Sequence, residues 1–191
     1  MKRVVALLFF TALCCLSLRA QTKSVSPRVI DLPRGPITRI PSPDGKWTLI
    51  FECPNDCRQR KLSIGQSDTG VRRLVKEYDR SLSVGWAPDS RLFFVNDAFG
   101  SNGTESYVYD PVTLKETPLA KVLVTGDPNA DEYLEAGHSY LEVKRWISPH
   151  ELLVSLRGHF DEQGRGFTLG YRIDLNGGVH RLYKRDEETP R

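Results

Sequence analysis

Short apolar runs separated by polar turns form a pattern that occurs three times along the chain. A small residue, a proline, a polar turn and a run of β-forming residues follow one another at residues 40–51, 84–95 and 145–156. Runs rich in Val, Ile, Phe, Leu and Trp that follow Pro, Gly, Asp or Ser are typical of strands entered from turns. The pattern therefore predicts three strand-rich repeats.

The repeats are predicted to span residues 37–75, 81–119 and 141–183. Further alternating stretches within each of them predict additional strands, as in Tyr107-Val108-Tyr109-Asp110. About 16 extra residues separate the second and third copies and fall in an insertion at 120–140. Residues 127–137 of this insertion predict one short helix, with Asp127 as the cap, Pro128 at the first position and Gly137 at the end.

Strand-rich repeats of about 40–45 residues are expected of β-propeller blades. The segment Ser42-Pro43-Asp44-Gly45-Lys46-Trp47 resembles the Pro-Asp-containing, WD-like blade repeat of TolB-like proteins and of prolyl oligopeptidase-type propellers. Residues 86–90 match it a second time, whereas residues 146–150 carry His150 in place of Asp. The resemblance covers residues 37–183 and implies that Asp44 and Asp89 shape turns and have no catalytic role.

The expected fold class is therefore all-β, with three propeller-like antiparallel blades and one short helix in the insertion. Propellers usually contain about 4–8 blades, and three are found in this sequence. Three interpretations follow: an open arc, a small propeller with a degenerate blade, or a piece that a partner or a second copy completes. The sequence does not distinguish between them.

Residues 1–20 are expected to be a secretory signal peptide. Lys2 and Arg3 precede an apolar run from Val4 to Leu18, and Ala20 suits the position before a cleavage site. An uncleaved anchor and a lipoprotein signal at Cys14 or Cys15 are the alternatives. An extended lead-in is predicted at 21–36, with an edge strand at residues 29–32, followed by the propeller-like domain at 37–185 and a charged tail at 186–191.

The charge balance depends on that signal peptide. The full chain has 27 Lys and Arg residues against 24 Asp and Glu. Lys2, Arg3 and Arg19 lie in the signal, and their removal leaves 24 residues of each sign. A chain of zero net charge has no overall field to attract nucleic acid or an anionic membrane, so neither is expected as a partner.

Two cysteines, Cys53 and Cys57, remain after the signal peptide. Such a pair in an exported protein predicts a disulfide, here closing a short turn loop. A redox switch and metal ligation are the alternatives. A redox pair usually has two intervening residues at a helix N-terminus, and a zinc site needs two further ligands.

Catalytic chemistry finds little support in the sequence. Ser67 lacks the glycine spacing of a nucleophile elbow, and Asp68-Thr69-Gly70 has no second copy to form a dyad. The four histidines are scattered, and the two acidic loops do not follow a calcium-loop spacing. No catalytic residue, metal or cofactor is expected.

We therefore expect an exported, periplasmic or extracellular, non-enzymatic protein that binds an envelope protein or peptide through its loops. Self-association that completes the blade arc is a further expectation. Function on such scaffolds is carried by loops. The candidate binding residues are Asp127, Asp131, Glu132, Tyr133, His138 and Tyr140 of the insertion, with Asp97 and Asn102 of a neighbouring loop. The alternatives are a hydrolase accessory domain, a small enzyme, or a calcium-dependent ligand-binding module.

Overall fold

Strands dominate the architecture. The computed structural model describes residues 29–33, 35–53, 60–160 and 164–188. The strands are β1 Ile30–Leu32, β2 Ile37–Pro41, β3 Trp47–Glu52, β4 Arg60–Gln66, β5 Arg72–Tyr78, β6 Ser81–Trp86, β7 Phe93–Ala98, β8 Gly103–Tyr109, β9 Glu116–Pro118, β10 His138–Trp146, β11 Glu151–Phe160, β12 Arg165–Asp174 and β13 Gly178–Glu188. Two short helices, α1 Leu119–Gly126 and α2 Asp131–Leu134, flank a 3₁₀ turn at Pro128–Ala130. The all-β expectation is confirmed.

Each predicted repeat folds into a four-stranded antiparallel meander, which we call a blade. Blade 1 is β2–β5, blade 2 is β6–β9 and blade 3 is β10–β13. Blades 2 and 3 are joined by a short parallel pairing of β8 with β10, at Gly103↔Ser139 and Thr104↔Tyr140. The lead-in contributes β1, which pairs antiparallel with β6 of blade 2, so the predicted edge strand is confirmed.

Two hydrophobic layers separate the blades. The first lies between blades 1 and 2 and includes Phe51, Leu62 and Phe93. The second lies between blades 2 and 3 and includes Phe94 and Trp146. Because successive strand residues point to opposite faces, neighbouring residues Phe93 and Phe94 of β7 serve different layers. Blade 2 is therefore apolar on both faces and forms the centre of the molecule.

An equivalent tryptophan hydrogen bond occurs at both blade interfaces, between blades 1 and 2 and between blades 2 and 3. The indole N–H of Trp86 at the end of β6 donates to the carbonyl of Ile40 in blade 1 at 3.2 Å. The indole N–H of Trp146 at the end of β10 donates to the carbonyl of Gly85 in blade 2 at 3.0 Å. Ile40 and Gly85 occupy equivalent positions before the proline turn, so the same type of hydrogen bond joins each pair of consecutive blades.

The outer face of blade 3, which is turned away from blade 2, is polar, whereas the faces packed between blades are apolar. On this face Arg172 pairs with Glu151 at 2.9 Å, and Glu142 contacts both Lys144 and Arg157. The ring of Tyr183 covers Gly170, where an added Cβ would lie 2.3 Å from a ring atom. The terminal face of this arc is thus covered by the chain's own charged and aromatic side chains.

The insertion differs from its prediction. The sequence predicts one helix at 127–137, and the structure has the 3₁₀ turn and α2 there, plus α1 immediately before. Helix α1 lacks a side-chain N-cap, since Pro118 occupies that position. No capping residue in the sequence therefore marks where this helix begins. Burial stabilises it instead, because Leu119 and Leu123 lie one turn apart in the second hydrophobic layer.

Several predictions concern residues outside the described part of the chain. The signal segment 1–20 lies there, and so does Cys57. Cys53 is buried in the layer between blades 1 and 2, and its disulfide with Cys57 stays a prediction. Among the described residues, no helix has the length and apolar character that crossing a membrane would require.

Candidate binding cleft

An open cleft lies where the insertion meets blade 3. It has a volume of about 250 Å³ and is formed by α2, the facing ends of β11 and β12, and β13. Its lining residues are Glu132, Tyr133, Phe160, Arg165, Gly166, Phe167, Lys184 and Asp186. The cleft is therefore built from the insertion and the longest strands of the chain.

Three aromatic rings form its floor. The ring of Tyr133 meets Phe167 edge-on at 4.9 Å between centroids, and Phe160 lies 5.3 Å from Phe167. The antiparallel register places Phe160 opposite Arg165 and Phe167 opposite Gly158, so both phenylalanines reach the same face. Helix α2 then lays Tyr133 across them. Aromatic rings in such offset contacts give a rigid apolar surface.

Charges of both signs surround this floor. Lys184 pairs with Asp186 at 3.2 Å, and its ammonium lies 5.2 Å from the centre of the Tyr133 ring. The Tyr133 hydroxyl, and after it the Asp186 carboxylate, raises the pKa of Lys184. Glu132 and Arg165 are exposed on the same rim. The cleft therefore offers an apolar centre between acidic and basic groups.

Two of the predicted binding residues, Glu132 and Tyr133, line this cleft. Asp131 is exposed in the first turn of α2 and does not line it. Asp127 accepts a hydrogen bond from Arg181 Nε at 2.8 Å and joins the insertion to β13. This carboxylate raises the pKa of Arg181, while burial raises the pKa of the adjacent Tyr171 hydroxyl to about 12.

His138 and Tyr140 lie on the opposite face of blade 3. In β11, His159 and Phe160 are consecutive and point to opposite sides of the sheet. His138 stacks on His159, with ring centroids 4.1 Å apart, while Phe160 faces the cleft. The Tyr140 hydroxyl donates to the carbonyl of Ser101 at 2.7 Å.

Asp97 and Asn102 belong to other contacts. Asp97 is buried and pairs with Lys76 of blade 1 at 2.5 Å. The same ammonium lies 4.2 Å from the centre of the Tyr107 ring, and burial, followed by the Glu105 carboxylate, raises the pKa of Tyr107. Asn102 is exposed, and its carbonyl accepts the amide of Ser139. The predicted residues thus do not form one site.

The sequence did not indicate Phe160 and Phe167 of the floor, or Lys184 and Asp186 of the charged rim. Phe160 and Phe167 flank a polar, glycine-containing loop. The alternation of apolar and polar residues around them indicates strands, but it does not indicate which face of the sheet stays uncovered. Lys184 and Asp186 fall at the junction of the predicted last strand and the tail. Their positions depend on β12 and β13 extending to Arg165 and Glu188, which local patterning does not fix.

The described residues contain no group of three or more His, Cys, Asp or Glu side chains arranged to hold a metal ion. Ser67, the weak nucleophile candidate, donates its hydroxyl to the carbonyl of Gly45 at 2.7 Å in an exposed turn. The carboxylates of Asp44 and Asp89 accept the amides of Lys46 and Arg91 at 3.1 Å each. Both aspartates act as turn formers, as the repeat predicts.

No family model matches the chain, and no curated protein matches its sequence. Solved structures do match. The β-propeller domain of the trilobed protease from Pyrococcus furiosus, described as having an open velcro topology, aligns with a TM-score of 0.50 and 15% identity, covering 78% of this chain and 43% of that chain. TolB from Acinetobacter baumannii aligns at 0.38 with 13% identity, covering 82% and 32%. Acylaminoacyl peptidase from Pyrococcus horikoshii aligns at 0.43 with 11% identity, covering 85% and 25%.

The likeness to the trilobed protease domain establishes the fold class as β-propeller-like. The chain spans less than half the length of each of these three proteins. The described residues form three blades, as in a partial propeller, whereas the repeat count alone leaves three interpretations open. The activities named for those proteins belong to them, because a fold alone does not determine function.

Proposed function

We propose that this chain is an exported, non-enzymatic binding protein that takes a peptide segment of a partner protein into the cleft of Tyr133, Phe160 and Phe167. The observation that carries the proposal is the aromatic floor of this cleft, in which Tyr133 and Phe167 are buried and Phe160 is half-buried, between charges of both signs. An apolar centre set in a polar rim is the usual anatomy of a protein-binding site.

The size of the cleft favours one side chain over a free small molecule. Its volume of about 250 Å³ falls below the roughly 300–1,000 Å³ typical of small-ligand pockets. An aromatic or large aliphatic side chain of a partner would contact the three rings and be desolvated. Residues buried in this way are the ones that dominate binding energy at interfaces.

The rim favours a partner whose anchor is flanked by charges. Lys184 and Arg165 are the basic groups of the rim and Glu132 and Asp186 its acidic groups, with Lys184 and Asp186 paired to each other. Charges at a rim contribute orientation and association rate more than affinity. Export supports an envelope or extracellular partner and rests on the Lys2-Arg3 segment and the apolar run that follows it.

Selection from a random peptide library displayed on phage tests this proposal with purified protein. We expect enriched peptides to share an apolar anchor residue. Phe160→Ala should weaken their binding by at least about tenfold, or about 1.4 kcal/mol. Lys184→Glu should weaken the peptides that carry an acidic residue beside the anchor and spare those that carry a basic one.

Lys121→Glu is the matched control, because Lys121 is exposed on α1 away from the cleft. It changes charge as Lys184→Glu does and should leave binding unchanged. A pull-down from the native envelope with a mass readout would then identify the natural partner. Enrichment of no peptide, or equal binding of the selected peptides by wild type and Phe160→Ala, would refute the proposal.

A further inference from the structure

The outer face of blade 3 presents basic side chains to the solvent. Strand register and alternation place five basic residues and three acidic residues on this face, among the side chains that the structure describes. The basic residues are all exposed, and they are Lys144, Arg145, Arg157, Arg172 and Arg185. The acidic residues are all half-buried, and they are Glu142, Glu151 and Asp174. The aromatic cleft lies on the opposite side of this sheet, so a binding surface here is independent of it.

The acidic groups of this face lie beneath the basic groups that pair with them. The side chains of Glu142 and Glu151 are 21% and 23% exposed. Those of Lys144, Arg157 and Arg172, which pair with these glutamates, are between 45% and 54% exposed. Each ion pair therefore directs its positive end towards the solvent. The near balance of charge along the whole chain hides this local positive potential, which attracts anions to one face.

The strand register spreads the cationic groups across the sheet. Arg157 of β11 lies opposite Thr168 of β12, and Thr168 lies opposite Arg185 of β13. The Cα atoms of the two arginines are therefore two strand spacings apart, or about 10 Å. Arg172 lies further along β12, about 13 Å from Thr168 at the usual rise of a strand. Cationic groups at these separations suit the repeated charges of a polymer better than one small anion.

Two tyrosine rings hold arginine side chains in place on this face. The guanidinium of Arg157 lies 5.1 Å from the centre of the Tyr140 ring, and that of Arg185 lies 5.2 Å from the centre of the Tyr183 ring. Tyr140 is itself fixed, because its hydroxyl donates to the carbonyl of Ser101 at 2.7 Å. Contacts of this kind restrict the guanidinium groups, whose planar donors match a carboxylate in two parallel hydrogen bonds. The chemistry of the face therefore favours carboxylate groups.

The same face suits sugar rings better than a peptide. Its strand residues are charged, polar, aromatic or glycine, apart from Leu153 and, at the bulge of β13, Leu182. Protein partners usually depend on an apolar side chain that is buried in a pocket, and a flat polar surface gives such an anchor little to contact. A sugar ring combines hydroxyl groups with an apolar C–H face. Tyr183, which is 42% exposed, offers aromatic surface to that face, and the exposed His180 offers a hydrogen-bonding group.

We propose that the outer face of blade 3 binds a carboxylated polysaccharide, a polymer that contains uronic acid units. Arg157 and Arg185 pair with carboxylates on separate units, and Tyr183 stacks on a sugar ring. Each of these contacts is exposed, so each contributes little by itself. The affinity comes from several units of one polymer bound at the same time.

Calorimetric titration of the purified chain with three polymers tests the proposal. Polygalacturonate carries carboxylates on sugar rings, dextran has sugar rings without charge, and poly-L-glutamate carries carboxylates on a peptide. We expect polygalacturonate to bind about tenfold more tightly than dextran, which lacks the ion pairs, and more tightly than poly-L-glutamate, which lacks the sugar rings. Its affinity should fall as the ionic strength rises, because salt screens exposed charges.

Substitutions on the face separate its contributions. Arg157→Gln and Arg185→Gln should each weaken polygalacturonate binding by about fivefold, the upper end for an exposed charge pair. Tyr183→Ala should weaken it by about threefold and leave the binding of poly-L-glutamate unchanged. Arg72→Gln is the matched control, because Arg72 is also an exposed arginine paired with a glutamate, at 3.0 Å from Glu52, but it lies on blade 1. This variant should bind polygalacturonate as the wild type does.

A spectroscopic measurement on the wild type avoids any effect of the substitutions on folding. Titration with a short galacturonate oligomer should shift the backbone amide signals of Arg157, Thr168 and Arg185 and spare that of Arg72. Shifts centred on blade 1 would overturn the proposal, and so would equal binding of polygalacturonate by the wild type and the double variant Arg157→Gln, Arg185→Gln. Poly-L-glutamate that binds as tightly as polygalacturonate would overturn it in favour of an acidic peptide partner.

Discussion

Asn96 and Val143 are joined by two hydrogen bonds between blades 2 and 3. Asn96 Nδ2 donates to the Val143 carbonyl at 3.0 Å, and the Val143 amide donates to Asn96 Oδ1 at 2.9 Å. Asn96 is buried, and Ser106 beside it donates to the Leu141 carbonyl at 2.7 Å. These side chains continue, along β10, the backbone ladder that β8 begins at Thr104↔Tyr140. The backbone hydrogen-bonding groups of Leu141 and Val143 on this edge of β10 therefore have partners within the molecule.

Replacing Asn96 with alanine should lower the free energy of unfolding by about 3 kcal/mol. It leaves the N–H and C=O of Val143 buried without partners, and each such group costs about 1–3 kcal/mol. Urea denaturation provides the measurement. Asn102→Ala, at an exposed asparagine, should change stability by less than about 0.5 kcal/mol. A loss for Asn96→Ala as small as that of Asn102→Ala would contradict this account.

The equivalent indole hydrogen bonds of Trp86 and Trp146 predict similar losses of stability when either tryptophan is replaced. Trp86→Phe and Trp146→Phe each remove the donor to a buried carbonyl and some apolar volume, so each should destabilise the chain by about 2 kcal/mol. Trp47→Phe provides the comparison, since its ring is half-buried and lies under Arg73. Thermal unfolding should rank Trp47→Phe as the mildest of the three. A mild effect at Trp86 would indicate that its indole hydrogen bond contributes little to the docking of blade 1.

The local parts of this fold follow from the sequence, since turns depend on a few adjacent residues. The first two proline turns are predicted correctly because Asp and a residue with positive φ determine them. Gly45 has φ 73° and Ser90 has φ 66° at the equivalent position. Strand β11 is likewise evident as an apolar run. Helix α1 is not evident, because packing of Leu119 and Leu123 stabilises it and no cap marks its start.

The candidate sites could not be predicted to the same extent, since they depend on long-range register. The sequence indicates Glu132 and Tyr133 through their place in the insertion, but their partner Phe167 is determined by the pairing of β11 with β12. His138 and His159 are far apart in the sequence and become neighbours only through the pairing of β10 with β11. A blade repeat predicts that strands pair; it does not predict which faces remain uncovered.

The Lys76–Asp97 ion pair predicts that substitutions of its two residues have strongly non-additive effects on stability. Both side chains are largely removed from water, with exposures of 23% and 8%, and they link blades 1 and 2. Lys76→Met should cost about 3 kcal/mol, because removing one partner of a buried pair leaves an uncompensated charge. Blade 3 has Leu156 at the place equivalent to Asp97. The double variant Lys76→Met, Asp97→Leu should therefore recover most of the loss in a double-mutant cycle, and additive losses would contradict the prediction.

The turn between β2 and β3 of blade 1 predicts a loss of stability in acid. Burial works to raise the pKa of Asp44, but hydrogen bonds from the Ser42 hydroxyl and the Lys46 amide lower it below its ordinary value. A folded-state pKa below the unfolded value means that the carboxylate stabilises the fold at neutral pH. This contribution is lost as the pH falls through the folded-state pKa, below about 4. Asp44→Asn keeps an acceptor in the turn without the charge, so the difference in free energy of unfolding between wild type and variant should shrink between pH 7 and pH 3. Asp68→Asn, in an exposed turn, controls for the removal of one negative charge; a pH dependence equal to that of Asp44→Asn would show that the effect is not specific to the blade 1 turn.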